Sequence, residues 1–593
     1  MNIIYYEYKY NRKRFHNAEN IGGMGMYQQL QEMTLPQQVE FLTRQLVGID
    51  SVNGTAGEGA IADSLKKILQ SFPYFIQNPN QVWEKKVPND PYRKNIFALV
   101  KGKGSSTNTI IFHSHIDTVG VEDFGHLKQD AFNPDQIEQF FKTYELDKDV
   151  QMDANSGDWM FGRGSVDMKS GAAVHLANVL YFSEHAEELD GNILLMFNPD
   201  EESQHKGIIS AIPELKRLKE EHGLEFISAI NDDFITPLYE NDPHRYIYTG
   251  AAGKILPSFY IYGREAHVGD TLSGVDPNFV AAELTRRIHN NLELAENIEG
   301  EMTLPPTCLQ QRDTKKFYSV QTATSSYLYF NYFLFELSAK EVMDKLIAIA
   351  AGACVDVEAH LSKQYEEFLK RTGLPGKKLS WHLEVTSLAD FMKELVAQGI
   401  PAYEVAKKVQ RENKEMEARE LCFKIVEELQ NWDPYKKPRV IIFFAPPYLP
   451  HNYLNQSNER DAEILKSVKE TLEEMEQLTG ETFALKKFFP YLADGSFLSL
   501  HESDEELSSL INNFPEWDSI YPVPVNEIRG LNIPSINVGV YGKDGHKWTE
   551  RVYKPYTFHV LPIVIRTMAM NLLKKKLLAP DLLERQYEEP IGI

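Results

Sequence analysis

Four runs of β-branched and aromatic residues recur along the chain, and each ends on acidic or imidazole side chains. They are TIIFHSHID from Thr109, NILLMFNPDEE from Asn192, FISAINDD from Phe226 and PSINVGVYGKDGH from Pro534. Continuous apolar runs of this length, bounded by polar turn residues, predict strands buried on both faces, as in a parallel sheet. Between and around them the apolar positions repeat with helical period in LPQQVEFLTRQLVGI, GAIADSLKKILQSF and MKSGAAVHLANVLYF, while NIFALVKG predicts a further strand. The alternation predicts an α/β fold with a mixed, mostly parallel sheet and helices on both faces.

The pattern changes from Gly253. KILPSFYIYGREAHVG predicts a strand, DPNFVAAELTRRIHNNLEL a helix, SVQTATSSYLYFNYFLFEL one or two strands, and the segment from Ser338 to Gly373 one long helix. A charged helical stretch follows, and RVIIFFAPPYLP from Arg439 predicts another strand. If Asp233 and His546 line one crevice, the chain between them must hold a whole inserted domain, since no ordinary loop is that long. The expected division is therefore 24–253 and 451–593 for the first domain, with an α+β insert over 254–450. Residues 1–23 read as an N-terminal extension, disordered and set apart from the core.

Composition narrows the functional classes. At 593 residues one core is not enough, which agrees with the insert. A formal charge of -23 argues against a nucleic-acid partner, because such binding rests on basic side chains neutralising phosphates. Cys308, Cys354 and Cys422 form no close pair and no CxxC, so neither a disulfide framework nor a thiolate zinc site is expected. Without a signal-peptide core or an apolar run of membrane-spanning length, the expected setting is the cytoplasm, with no membrane partner.

The polar residues at the strand ends carry the chemistry. In open α/β sheets, ligands bind beyond the carboxyl ends of the strands, so His115, Asp117, Asp167, Glu201, Glu202, Asp232, Asp233 and His546 can converge there. Imidazole and carboxylate are the donors of catalytic zinc sites, and an ion pair about 3.5–4 Å apart needs one carboxylate to bridge. His115 can bind one ion, with Asp117 two residues on orienting its ring. Asp167, in the glycine-bearing loop FGRGSVDMKSG, suits the bridge. Consecutive residues leaving a strand point opposite ways, so of Glu201 and Glu202 one can bind metal while the other acts as general base. Each feature alone has a plainer explanation: His113 as a hydrogen-bonded strand residue, paired glutamates as solvated surface, Asp232-Asp233 as a turn. All of these would have to hold together, at the same end of successive strands.

Taken in order, these segments resemble the di-zinc aminoacylase and exopeptidase family that includes acetylornithine deacetylase, succinyl-diaminopimelate desuccinylase and the glutamate carboxypeptidases. HSHIDTV resembles its HxDxV segment, GRGSVDMKSG its GRGxxDMKGG, DEES its DEE, GREAHVG its GxxxHxG lid motif, and GHKWTE the segment in which a metal-binding His precedes a Glu by four. The resemblance runs from about Gln38 to His559, and the length, the oversized lid, NDDF and FFPYLADGSF look most like an arginine-utilisation branch. It implies two divalent ions, zinc first, with cobalt or manganese also accepted by such ligands. It implies that His115 and His546 bind different ions, Asp167 bridges, Glu202 completes the ligand set, Glu201 is the base and Asp117 the orienter. His267 of the lid would polarise the scissile carbonyl. Asp233 is favoured over Asp232 as the remaining ligand, and Ser170 stands where the family has glycine. The expected activity is cleavage of an amide bond in a small peptide or N-acyl amino acid, within arginine or other amino-acid catabolism. Relatives suggest a homodimer through the lid, while the enlarged insert suggests a site completed within one chain. The competing reading is a non-catalytic amino-acid-binding or regulatory member of the same fold.

Overall fold

Alternation within the central strands divides their side chains between two cores. Phe97, Leu99, Ile111, Leu194 and Met196 pack with the helix Lys206–His222 on one face, and Ile96, Ala98, Ile110, Phe112, Ile193 and Leu195 pack with the helices Leu35–Val47, Gly57–Gln70 and Lys169–Glu184 on the other. A sheet covered on both sides needs apolar residues at every position, which is why its strands read as unbroken hydrophobic runs. The computed structural model describes residues 25–491 and 493–573. The extension expected over 1–23 lies outside the described residues.

Six strands of the main sheet precede the insert: β1 (Val82–Lys86), β2 (Lys94–Lys101), β3 (Asn108–His115), β4 (Asn192–Asn198), β5 (Glu225–Asn231) and β6 (His244–Tyr248). A second sheet comprises β7 (Gly253–Tyr262), β8 (Thr307–Asp313), β9 (Ser325–Leu334), β10 (Glu384–Ser387) and β11 (Arg439–Leu449). The chain then returns to the main sheet with β12 (Thr482–Lys486) and β13 (Ser535–Val538). Hydrogen bonding orders the main sheet β1-β2-β4-β3-β5-β13-β6-β12 and the inserted sheet β8-β9-β7-β11-β10. The fold is thus the expected mixed α/β sheet plus an α+β lid.

The four central strands β4, β3, β5 and β13 run parallel. Pairings β1–β2, β2–β4 and β13–β6 are antiparallel, and β6–β12 is parallel. His115 pairs with Asn198 and His113 with Asn231, so β3, β4 and β5 end at one level. This register brings the polar residues that follow each strand to one rim.

The insert departs from expectation in detail. The aromatic segment expected as one or two strands forms one, β9, and the polar edge strand β8 was not anticipated because TCLQQRD has no apolar alternation. The long helix spans Ala339–Thr372, started by a Ser338–Glu341 capping box and ended by Gly373 at φ 67°. The charged stretch resolves into three helices, Leu388–Ala397, Ala402–Glu412 and Ala418–Trp432. Among the described residues no helix is long and apolar enough to cross a membrane. The three cysteines are unpaired.

Just past β13 the backbone passes so close to the β5 turn that only a glycine fits. A Cβ on Gly539 would lie 1.7 Å from the carbonyl oxygen of Asp233. That carbonyl also accepts the Asn537 side-chain amide at 3.0 Å. Gly539→Ala should therefore lower the midpoint of thermal unfolding by the equivalent of about 1–3 kcal/mol or more, the usual cost of overpacking. Gly530→Ala is the control, since nothing lies within 4 Å of its Cβ position. An unchanged midpoint in Gly539→Ala would contradict this account of the turn.

Candidate metal centre

His115 is the last residue of β3, and its ring is fixed from behind. Its Nδ1 lies 3.1 Å from the carbonyl oxygen of Asp117 and 3.6 Å from that residue's carboxylate. To bind a metal the ring would carry its proton on Nδ1, directed at the carbonyl, leaving the Nε2 lone pair for the cavity. Nε2 faces Oδ1 of Asp167 at 2.9 Å. The other oxygen of Asp167, Oδ2, is 2.9 Å from Nε2 of His546, which lies 3.0 Å from Glu202.

Asp167 is consequently shared by two clusters. His115, Asp167 and Asp233 form one; Asp167, Glu202 and His546 form the other; in each the donor atoms lie within 4.8 Å of one another. The structure brings together five of the residues expected as ligands, with Asp167 in the middle. Asp233 enters the cluster and Asp232 turns away, its Oδ1 accepting the Ser114 hydroxyl at 2.8 Å and its Oδ2 facing His175 across 3.3 Å. Burial pushes the Asp232 carboxyl well above the carboxylate range and the His175 imidazole down to about 3. His113 is buried beneath the site with Nε2 3.9 Å from Asp494, and it joins none of the clusters.

The donor set fits a pair of divalent ions. Burial, with the Asp167 charge next, raises Asp233 to about 8. Burial likewise raises Glu202, and drives Glu201 well above the carboxylate range with the charges of Glu202, Asp494 and Asp233 adding to it. Burial opposes charging of the imidazoles too, yet Asp117 and Asp167 hold His115 well above its ordinary range, and Asp167 with Glu202 raises His546 to about 11. This concentration of oxygen donors lacks positive charge, and two cations between the triads would supply it.

The loops that carry these residues are anchored by hydrogen bonds that the sequence did not signal. Both oxygens of Asp117 accept backbone N–H groups, from Glu201 and Glu202, at 3.1 Å each. Asp117 therefore sets the glutamate turn as well as the His115 ring. That turn is not a continuation of β4: Asp200 and His205, at φ 68° and 57°, bracket it in left-handed backbone. Glu201 and Glu202 therefore lie in a turn, so the strand alternation expected to set them apart does not apply to them. Glu550, the last residue of GHKWTE, accepts the N–H groups of Val166 and Asp167 at 3.1 and 3.2 Å while Arg163 donates to its other oxygen at 2.7 Å. His205, held by Asp494 at 2.8 Å, flanks Glu201 at 4.0 Å. Glu550 and Asp494 lie inside the quoted motifs, whereas His205 and Asn53, whose amide donates to Asp117 at 2.8 Å, do not stand out in sequence.

A cavity of about 460 Å³ opens onto Asp167, Glu201, Glu202, Asp233 and His546, and is walled by Phe234 and Tyr491 and by the lid residues Leu304 and Phe333. Its size suits a small ligand. His267 is not among its lining residues: it is exposed on the lid, where its Nδ1 accepts the Gly269 N–H at 3.0 Å.

Comparison with known proteins identifies the family. The model of the peptidase family M20/M25/M40 matches residues 111–501. Protein RocB of Bacillus subtilis (strain 168) is 58% identical over 549 residues, covering 92% of this chain and 97% of RocB. The uncharacterized protein YqjN of the same strain is 32% identical over 555 residues, covering 92% and 98%. Among solved structures, the Bacillus subtilis YXEP protein, described as a dinuclear metal binding peptidase from the M20 family, is similar with a TM-score of 0.46 at 11% identity, over 91% of this chain and 99% of that one. By the family match and by its identity to RocB along nearly all of both chains, this chain belongs to peptidase family M20/M25/M40.

Proposed function

We propose that this M20-family metallopeptidase cleaves an amide bond in a small peptide or N-acyl amino acid. The observation that carries the reading is Asp167, whose two oxygens face two different imidazoles within one closed set of carboxylates. His115 and Asp233 would hold one divalent ion, Glu202 and His546 the other, and Asp167 both, with zinc the expected metal. Bound there, the ions would act as Lewis acids, polarising the scissile carbonyl and lowering the pKa of water at the site toward about 7.

Glu201 is the base in this reading. It lies with His115 and Glu202 in one cluster and lines the same cavity as the ligands. It would take the proton of the attacking water and pass it to the leaving nitrogen. Asp117 keeps Glu201 in place through its own N–H and the ring of His115 through the carbonyl. The walls of Phe234, Tyr491, Leu304 and Phe333 would exclude bulk water around the bond and limit the substrate to a small one. His267, assigned by resemblance to polarise the carbonyl, would have to reach the site by movement of the lid or from a second copy in a homodimer. Likeness of NDDF and FFPYLADGSF to the arginine-utilisation branch supports a place in arginine or amino-acid catabolism. A non-catalytic binding protein would have no use for a carboxylate beside the ligands that is free of the Asp167 clusters.

Glu201→Gln should retain its metal and lose about 10²–10⁴ in kcat on N-acyl amino acids or dipeptides, the usual share of general acid-base catalysis. Full turnover with the metal content unchanged would remove Glu201 from that role. Elemental analysis of zinc-loaded protein should give two ions per chain. Asp167→Ala should lose both, and Glu202→Ala chiefly the one beside His546; equal retention in the two variants would exclude a bridging Asp167.

A further inference from the structure

Lys254, at the start of β7, is a lid cation that does not itself line the cavity but neighbours a residue that does. It lies directly opposite Phe333 of β9 and Leu449 of β11. Residues directly opposite on neighbouring strands project from the same face of a sheet. Phe333 lines the cavity, so the face that carries Lys254 is the one turned toward the metal centre.

The ammonium has no hydrogen bond or ion pair with any described residue, although its side chain is partly buried. Burial lowers it to about 8, Glu201 is the charge that opposes this, and Arg419 adds to the lowering. Arg419 is itself engaged, with Glu417 at 2.6 Å and the carbonyl of Pro446 at 3.5 Å. Lys254 is thus an unpaired, partly desolvated cation whose strongest attraction is to the proposed base. Such a group costs the folded state stability unless an anion meets it, and a cation held ready on a sheet is best used on charge that develops during reaction.

We propose that Lys254 is a catalytic residue whose ammonium donates a hydrogen bond to the oxygen of the scissile carbonyl. As the oxygen of water bonds to the carbonyl carbon, the π pair moves onto the carbonyl oxygen and the water proton moves to Glu201. Lys254 balances the negative charge on that oxygen without giving up its own proton. When the C–N bond breaks, the pair returns to re-form the carbonyl and Glu201 delivers its proton to the leaving nitrogen. This deepens the hydrolase reading and rests on it, and it assigns to a residue inside the chain the duty that resemblance gave to His267.

The test uses the zinc-loaded full chain and its Lys254→Met, Lys254→Arg and His267→Ala variants. Substrates are a dipeptide with a free carboxylate and its C-terminal carboxamide. The expected result for Lys254→Met is a loss of about 10²–10³ in kcat on both substrates, the usual effect of removing one oxyanion donor, with KM within about threefold and zinc content unchanged. Lys254→Arg should recover part of the loss. Calorimetry with a phosphinate analogue of the dipeptide should show Lys254→Met weakening that tetrahedral anion by a similar factor. A loss confined to KM on the carboxylate substrate would overturn the proposal by making Lys254 a carboxylate anchor. Unchanged kcat in Lys254→Met, or phosphinate affinity unaltered, would also overturn it. His267→Ala reproducing the whole loss while Lys254→Met does not would return the role to His267. If wild type hydrolysed neither substrate, the hydrolase reading would fail on its own, and phosphinate affinity would still report on Lys254.

Discussion

Everything at this site depends on holding like charges together, and the chain does so with backbone hydrogen bonds. Two carboxylates 4 Å apart repel by about 4 kcal/mol at an effective dielectric near 20, and Asp167, Glu202, Glu201 and Asp233 share one cavity. Side-chain attraction from two imidazoles cannot fix four carboxylates, so the loops are pinned from outside. Asp117 takes the N–H groups of Glu201 and Glu202, and Glu550 takes those of Val166 and Asp167. Behind Asp117 lies Asn53, then Arg93, whose guanidinium pairs with buried Glu58 and Asp200 at 2.8 Å each. Asp200 is the residue that opens the glutamate turn. Charge and amide alternate through this network, which holds the expected ligand residues in place from outside the cavity.

The parallel core makes this circuit short. Because β4, β3, β5 and β13 end at one rim, residues separated by more than three hundred positions meet across single hydrogen bonds. The amide of Asn537 reaches the carbonyl of Asp233, and Arg163 reaches Glu550. The tight approach of Gly539 to Asp233 belongs to the same economy of space, since a side chain there would push a ligand-bearing turn outward.

What the sequence made legible follows from where the information lies. The central strands advertised themselves because burial on both faces leaves no polar position inside them, and their terminal acids and histidines stood out against that background. The choice between Asp232 and Asp233 rested on resemblance, and geometry separates them by sending one to Ser114 and His175 and the other to His115. The duty of Asp117 toward the glutamate turn was invisible, because an acceptor of distant backbone N–H groups has no periodicity and no motif. Strand β8 was missed for a related reason: it is an edge strand with mostly polar side chains, so pairing with β9 holds it without an apolar pattern. Lys254 looked like any lysine near a strand start until the cross-strand register set it beside Phe333.

The lid contributes to the site only as well as it is attached to the main domain. One of its fixed contacts is a small cluster away from the expected metal ligands. Both oxygens of Glu301 accept backbone N–H groups, from Lys487 at 2.7 Å and Phe488 at 3.2 Å, and the Lys487 ammonium meets Glu336 at 2.9 Å. Phe335 stacks on Phe488 with ring centroids 3.8 Å apart. Two residues before Phe335 stands Phe333 on the lid, and two after Phe488 stands Pro490 on the main domain, both lining the cavity. A tilt of the lid about this cluster would therefore move the apolar wall and Lys254 together relative to Glu201. Cavity shape and the position of the lid's charge are one mechanical variable, because β7 and β9 carry both.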